Sequence, residues 1–171
     1  MPVHLVLGGA RSGKTAFAEQ AALRHGGVLH YVATAMPRED AEFQARIARH
    51  QQTRSAAFHT LESPIALAAS LAALNGPDQT VVVDCLTLWV TNCLLDDCWS
   101  EQHDALLALL PSLHSQVWLV SNEVGMGVVP MGALSRQFVD ASGALHQDIA
   151  ALADTVTLVT AGLPQRLKGA Q

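Results

Sequence analysis

The octapeptide Gly8-Gly9-Ala10-Arg11-Ser12-Gly13-Lys14-Thr15 constrains this chain more than any other stretch. It fits G-x-x-x-x-G-K-[ST], a pattern that cradles the phosphates of a nucleotide. The glycines let the backbone turn tightly and aim successive N–H groups inward at an anion. Lys14 can then reach the β- and γ-phosphates, and the Thr15 hydroxyl can ligate Mg²⁺. The apolar run Val3–Leu7 precedes the loop and the Ala-rich Thr15–Leu23 follows it. A strand therefore feeds the loop, and a helix leaves it with its positive end turned toward the same anion.

The remaining chain repeats that strand-then-helix alternation. Val28–Thr34 reads as a strand buried on both faces of a parallel sheet. Pro37 and the acidic Glu39, Asp40 and Glu42 suit the start of a helix running to about Gln52. Ala57–Leu61 reads as a short strand with Glu62 at its end, and Ser63 and Pro64 as cap and first turn of a helix through Leu74. Thr80–Asp84 is an apolar strand that delivers a carboxylate, as a strand does when it carries an Asp to Mg²⁺ beside a phosphate loop. Helices are expected over Leu86–Leu95, over Glu101–Leu110 behind an N-cap Ser100, and over Leu134–Ala153. Val117–Ser121 and Thr155–Thr160 are further strands, and the turn Ala161–Pro164 leads to a short polar tail. Five to six strands alternating with helices give an α/β fold, a mostly parallel sheet with helices on both faces. Together with the phosphate loop this is the three-layer P-loop NTPase class of RecA-like type. Strand order cannot be read from one sequence.

Composition narrows the function. Residues 1–171 suit one nucleotide-binding domain. Charged residues make up 15% of the chain, against about a quarter in an average domain, which suggests a surface suited to oligomerisation. The net charge of −5 argues against nucleic acid as a partner. No apolar run approaches the ~18 residues of a membrane span. With no signal peptide ahead of the first strand, and with Cys85, Cys93 and Cys98 unpaired by any C-x-x-C spacing, a reduced, cytoplasmic location is expected.

Other stretches carry chemistry or admit a plainer reading. Arg46, Arg49, His50 and Thr53 share one helical face, with Arg54 four residues past His50. This is either a solvated basic face or an imidazole that neighbouring cations keep neutral, and so nucleophilic toward phosphorus. Asn122–Pro130 leaves the carboxyl end of a strand, where α/β sheets bind ligands, although a structural crossover would look the same. Trp89 reads as core or interface, Asp96-Asp97 as exposed loop, and His103 and His114 as surface residues without ligand spacing.

Across nearly its whole length the chain resembles the bifunctional adenosylcobinamide kinase/adenosylcobinamide-phosphate guanylyltransferase family of cobalamin biosynthesis. The resemblance rests on Gly8–Thr15, Tyr31–Ala35, Arg46–His50, Asp84–Asn92, Asn122–Pro130 and Ala161–Pro164. It implies phosphorylation of adenosylcobinamide by ATP or GTP, then GMP transfer from GTP through a guanylylated histidine, which matches His50. Lys14 joins His50 as a catalytic residue. The implied nucleotide contacts are Gly8, Gly9, Ala10, Arg11, Ser12, Gly13, Lys14, Thr15, Ala33, Thr34, Ala35, Gln51, Gln52, Thr53, Arg54, Glu62 and Asp84, with Thr15 and Asp84 beside Mg²⁺. A homotrimer is implied as well, its interface helping to form the corrinoid site. The chain departs from the family in having Phe58 where Trp is usual. The rival readings are a small-molecule kinase in which His50 is structural, and a nucleotide-driven switch acting on a macromolecule.

Overall fold

The computed structural model describes residues 2–36 and 55–170. The helix expected to about Gln52, with Arg46, Arg49, His50 and Gln51–Arg54, lies outside the described residues.

Seven strands form one sheet: β1 (Val3–Gly8), β2 (Val28–Ala33), β3 (His59–Glu62), β4 (Gln79–Asp84), β5 (Gln116–Asn122), β6 (Thr155–Thr160) and β7 (Leu163–Lys168). Their order is β3-β2-β4-β5-β1-β6-β7. Every pairing is parallel except β6 with β7. With the phosphate loop after β1, and β5 between β1 and the Asp84 strand, this is the RecA-like P-loop arrangement.

Side chains alternate across the sheet as the pleat requires. Leu5, Leu7, Val81, Val83, Val117 and Leu119 face one core. There they meet α2 (Leu67–Ala73), α3 (Leu86–Leu95), α4 (Trp99–Leu109) and α5 (Ala133–Leu152). Val6, Val82, Trp118 and Val120 face the other core, where α1 (Lys14–His25) packs through Ala18 and Ala22. Small residues on α1 let that helix lie close to the sheet immediately behind the loop.

Several local expectations are corrected. The helix expected from Ser63-Pro64 begins only at Leu67, and Ser63 does not cap it. The backbone N–H of Ser63 donates to Ala33 O at 2.8 Å, continuing the ladder of β3 on β2. The carbonyls of Pro64 and Ile65 accept from Asn92 Nδ2 and Trp89 Nε1. Tertiary bonds therefore hold 63–65 outside the helix. Ser100 lies inside α4, whose first turn is set by Gln102 N–H donating to Cys98 O. β2 is buried only toward its carboxyl end, at Tyr31 and Val32, because the edge strand β3 is too short to cover Val28.

The expected polar tail is the edge strand β7, which has no buried residue. It is joined to β6 by Ala161-Gly162, with φ of 52° and 79°, a two-residue turn that twists with the sheet. Trp89 is fully buried, Asp96 and Asp97 are exposed, and all three cysteines are free. His114 is exposed, but His103 is held between α4 and α5 by a 3.1 Å contact to Asp148. Among the described residues no helix is long and apolar enough to cross a membrane.

Candidate functional site

The carboxyl ends of β1, β4 and β5 converge on the phosphate loop. Gly8 closes β1 and is buried: a Cβ there would stand 2.6 Å from the carbonyl oxygen of Val159 and 2.3 Å from Ser12 Oγ. Gly13 has φ +95°, a left-handed conformation that side chains resist, and forms the N-cap of α1. Between them Gly9, Ala10 and Arg11 are exposed, while Ser12 and Lys14 are buried at 9% and 8% exposure. Three backbone bonds fasten the loop: Ser12 N to Gly9 O at 3.2 Å, Gly162 N to Ser12 O at 2.8 Å, and Glu123 N to Gly8 O at 3.0 Å. The β6–β7 turn thus supports the loop from behind, which accounts for the Ala161–Pro164 motif in physical terms.

Polar groups on the loop are poised for an anion. Lys14 Nζ donates to Gly9 O at 3.1 Å, which bends the ammonium back over the cradle. Ser12 Oγ is buried and has no hydrogen-bond partner among the described residues. An unmet hydroxyl inside an anion cradle fits a phosphate oxygen, since a buried polar group is costly until it is paired.

Asp84 stands at the end of β4, and its Oδ2 accepts from Thr15 Oγ1 at 3.1 Å and from Tyr31 Oη at 2.6 Å. The loop hydroxyl and the strand carboxylate expected from sequence are therefore in contact. Hard oxygens from one carboxylate and one hydroxyl, beside a phosphate cradle, suit Mg²⁺, which is bound through few protein ligands together with nucleotide oxygens. Tyr31 was not anticipated as part of this group. Its ring meets buried Phe58 edge-on at 6.1 Å between centroids. The change from the family Trp thus falls on packing behind Asp84.

The β2 end behaves differently from the loop. Thr34 is fully buried, and its hydroxyl both donates to Cys85 O at 2.7 Å and accepts from Cys85 N at 2.9 Å. Its carbonyl accepts from Asn92 Nδ2 at 2.8 Å. With that side chain committed, a nucleotide can meet this stretch only through the partly exposed Ala33 and Ala35 or through backbone. Burial, and then the neighbouring Asp84 carboxylate, push the Cys85 thiol up to about 11, so it stays protonated and inert. Glu62 is exposed at the end of β3, three strands beyond β5.

At the end of β5 Asn122, Glu123 and Val124 are partly buried, and the loop beyond them is exposed and apolar. Met126, Val128, Val129 and Met131 are all more than 70% exposed. Val124 and Pro130 line one side of an apolar cavity of about 380 Å³, which Thr91, Leu94 and Phe138 close from α3 and α5. Among the described residues, only the start of the Asn122–Pro130 stretch, through the Glu123 N–H on Gly8 O, is bonded to the phosphate loop.

The sequence profile of the family described as cobinamide kinase / cobinamide phosphate guanyltransferase matches residues 4–167. The chain is 49% identical to the bifunctional adenosylcobalamin biosynthesis protein CobP of Pseudomonas aeruginosa, an alignment covering 96% of each chain. It is 37% identical to the bifunctional adenosylcobalamin biosynthesis protein CobU of Escherichia coli, covering 96% of this chain and 98% of that one. Among solved structures, a prototypical ATPase from the type III secretion system of pathogenic bacteria superposes with a TM-score of 0.48 at 11% identity, covering 93% of this chain and 51% of that one.

Proposed function

Since the chain belongs to the cobinamide kinase / cobinamide phosphate guanyltransferase family, we propose that its single phosphate loop serves two successive transfers and differs between them only in the attacking group. The chain is an enzyme of cobalamin biosynthesis with both activities, and it uses nucleotide substrates. The observation that carries the shared-loop reading is the contact of Thr15 with Asp84 at the mouth of a cradle that also holds Lys14.

In the kinase step the substrate hydroxyl attacks the γ-phosphorus of ATP or GTP, and the bond to the β,γ-bridging oxygen breaks. In the second reaction His50 attacks the α-phosphorus of GTP, and pyrophosphate departs from the same cradle. A phosphate oxygen of the kinase product then displaces the histidine and takes the GMP. Lys14 and the loop N–H groups neutralise charge on whichever phosphates sit in the cradle. Thr15 and Asp84 would hold Mg²⁺, which supplies further charge neutralisation when bound. Arg46, Arg49 and Arg54 are proposed to keep His50 neutral and to steady transferring charge. Ala33, Ala35, Gln51–Arg54 and Glu62 are proposed as further nucleotide contacts, and the cytoplasm as the compartment. The exposed apolar loop 126–131 supports a homotrimer in which such residues become buried.

The test is incubation with GTP labelled at the α-phosphate. Wild-type protein should take up acid-labile, base-stable label that adenosylcobinamide phosphate chases into product, and His50→Ala should take up none. Enzyme that transfers GMP without ever becoming labelled would overturn the histidine intermediate.

A further inference from the structure

Three carboxylates stand at the carboxyl ends of described strands: Asp84, Glu62 and Glu123. The kinase step needs one group free to take a proton from the attacking hydroxyl. Asp84 Oδ2 accepts from Thr15 and Tyr31, and on the reading above that carboxylate is committed with Thr15 to Mg²⁺. Glu62 lies on β3, four strands from β1, or about 19 Å at ~4.8 Å per strand. Glu123 follows the strand next to β1, and its backbone N–H is bonded directly to Gly8 O.

The Glu123 side chain is 22% exposed. Its Oε1 accepts the N–H of Gly125 at 2.5 Å, and its Oε2 lies 3.9 Å from Nδ1 of His146 on α5. His146 is buried at 7% exposure. A run of hydroxyls leads into it from behind: Thr87 Oγ1 accepts from Asn122 N at 2.7 Å and lies 3.3 Å from Ser121 Oγ, which lies 2.8 Å from His146 Nε2. In the arrangement where Thr87 donates to Ser121 and Ser121 to Nε2, the imidazole proton sits on Nδ1, facing the carboxylate. Burial lowers the His146 pKa against the opposing pull of Glu123, so the ring is neutral at physiological pH.

We propose that Glu123 is the general base of the kinase step, and that His146, held by Ser121 and Thr87, is the positioning residue that aims it. Glu123 takes the proton as the hydroxyl oxygen bonds to the γ-phosphorus and the bond to the β,γ-bridging oxygen breaks, with the electron pair leaving on the nucleoside diphosphate. Val124, the next residue, lines the apolar cavity between α3 and α5. A substrate whose apolar body rests on that wall would therefore lie against the residue next to Glu123. GMP transfer has no such need, because a neutral imidazole and a phosphate oxygen attack without losing a proton. The assignment rests on the two-reaction reading above, and it predicts a defect in one reaction only.

The experiment measures both reactions in Glu123→Gln, with thermal unfolding and GTP affinity as checks on the fold and the cradle. Kinase turnover should fall by about 10²–10⁴-fold, while GMP transfer to supplied adenosylcobinamide phosphate stays within about threefold of wild type. Kinase turnover above a third of wild type, or a parallel fall in both reactions, would overturn the assignment. For His146, the Leu variant should lose kinase kcat by about tenfold with nucleotide KM unchanged. His146→Asn, which restores an N–H near the Nδ1 position, should recover most of it. Equal kcat in the Leu and Asn variants would reduce His146 to packing. Should His146→Leu not fold, Ser121→Ala takes its place, and a loss confined to the kinase decides the same point. Wild-type enzyme that never labels with α-labelled GTP would sink the histidine intermediate and leave the kinase comparison intact.

Discussion

Replacing Gly8 by Ala tests whether the cradle is held by backbone or by side chains. The new methyl would come within 3 Å of two atoms, Ser12 Oγ at 2.3 Å and the Val159 carbonyl oxygen at 2.6 Å, with Ser12 Cβ in a looser contact at 3.2 Å. The first contact is soft: the Ser12 hydroxyl makes no hydrogen bond among the described residues and can rotate away. The second is hard, because Gly8 and Val159 are paired across β1 and β6, and only a local opening of the sheet can separate them. Overpacking against a rigid neighbour costs about 1–3 kcal/mol. For a domain of this length, each kcal/mol moves Tm by about 2–4 °C, so Gly8→Ala should lower Tm by roughly 2–12 °C. GTP affinity should fall too, because the displaced strand end carries both the first glycine of the cradle and the acceptor of the Glu123 N–H. The decisive arm is the double variant Gly8→Ala/Ser12→Ala. It removes the soft contact and leaves the hard one, so it should recover less than half of the lost Tm. Full recovery would refute the backbone argument, as would a Tm within about 1 °C of wild type for Gly8→Ala alone.

Lys14→Ala should depress both transfers by about two to three orders of magnitude, since one ammonium serves both. Loss of the kinase with GMP transfer intact, in matched assays, would refute the shared cradle. Acid should destabilise the fold through His4 and His146. Burial lowers both below their ordinary 6.5, so below that pH the unfolded chain binds protons that the folded chain refuses. The stability is present above about pH 6.5 and is lost as pH falls, at up to about 1.4 kcal/mol per pH unit for each ring. His4 is faced by Gln116, Asp154, Arg166 and His25, and it stacks on Trp118 at 4.6 Å. His4→Phe keeps the stacking and should flatten the Tm decline between about pH 7.5 and 5.5; an unchanged decline would refute its share.

The parts of the fold that were legible are those where local chemistry and burial agree. β1, β4, β5 and β6 are apolar runs, and each is a central strand with covered faces. Strand order was hidden because it depends on pairings across more than a hundred residues, such as Val3 with Val117. β7 was hidden because an edge strand with every residue exposed leaves no apolar pattern, and Pro164 further masks it. Ser63 and Ser100 misled for one reason: a serine favours a cap only where nothing stronger claims the backbone. At Ser63 the β2–β3 ladder claims it, and at Ser100 the helix has already begun. The gathering of Lys14, Thr15 and Asp84 at the loop was legible because the loop spacing fixes the first two and an apolar strand ending in a carboxylate marks the third. His146 was not, although a signal existed. It lies on the apolar stripe of α5 with Ser142, Leu145 and Ile149, where a histidine needs a partner.

On the proposed mechanism one cradle serves two nucleophiles, the substrate hydroxyl and His50. β4, which carries Asp84, has β2 on one side and β5 on the other. The sequence that holds His50 begins beyond the carboxyl end of β2, whereas Glu123 and the apolar cavity lie beyond that of β5. The two reactions then divide the site by residue: loop, Lys14, Thr15 and Asp84 are common ground, Glu123 beyond β5 is the base of one reaction, and His50 is the nucleophile of the other. Such a division requires the common ground to be indifferent to which phosphorus reacts. A cradle made of backbone N–H groups meets that requirement, because it binds a chain of phosphates by charge and shape and activates no nucleophile of its own. Selectivity must then come from those two residues, and substitutions at Glu123 and at His50 should separate the two activities cleanly, whereas substitutions in Gly8–Thr15 should not.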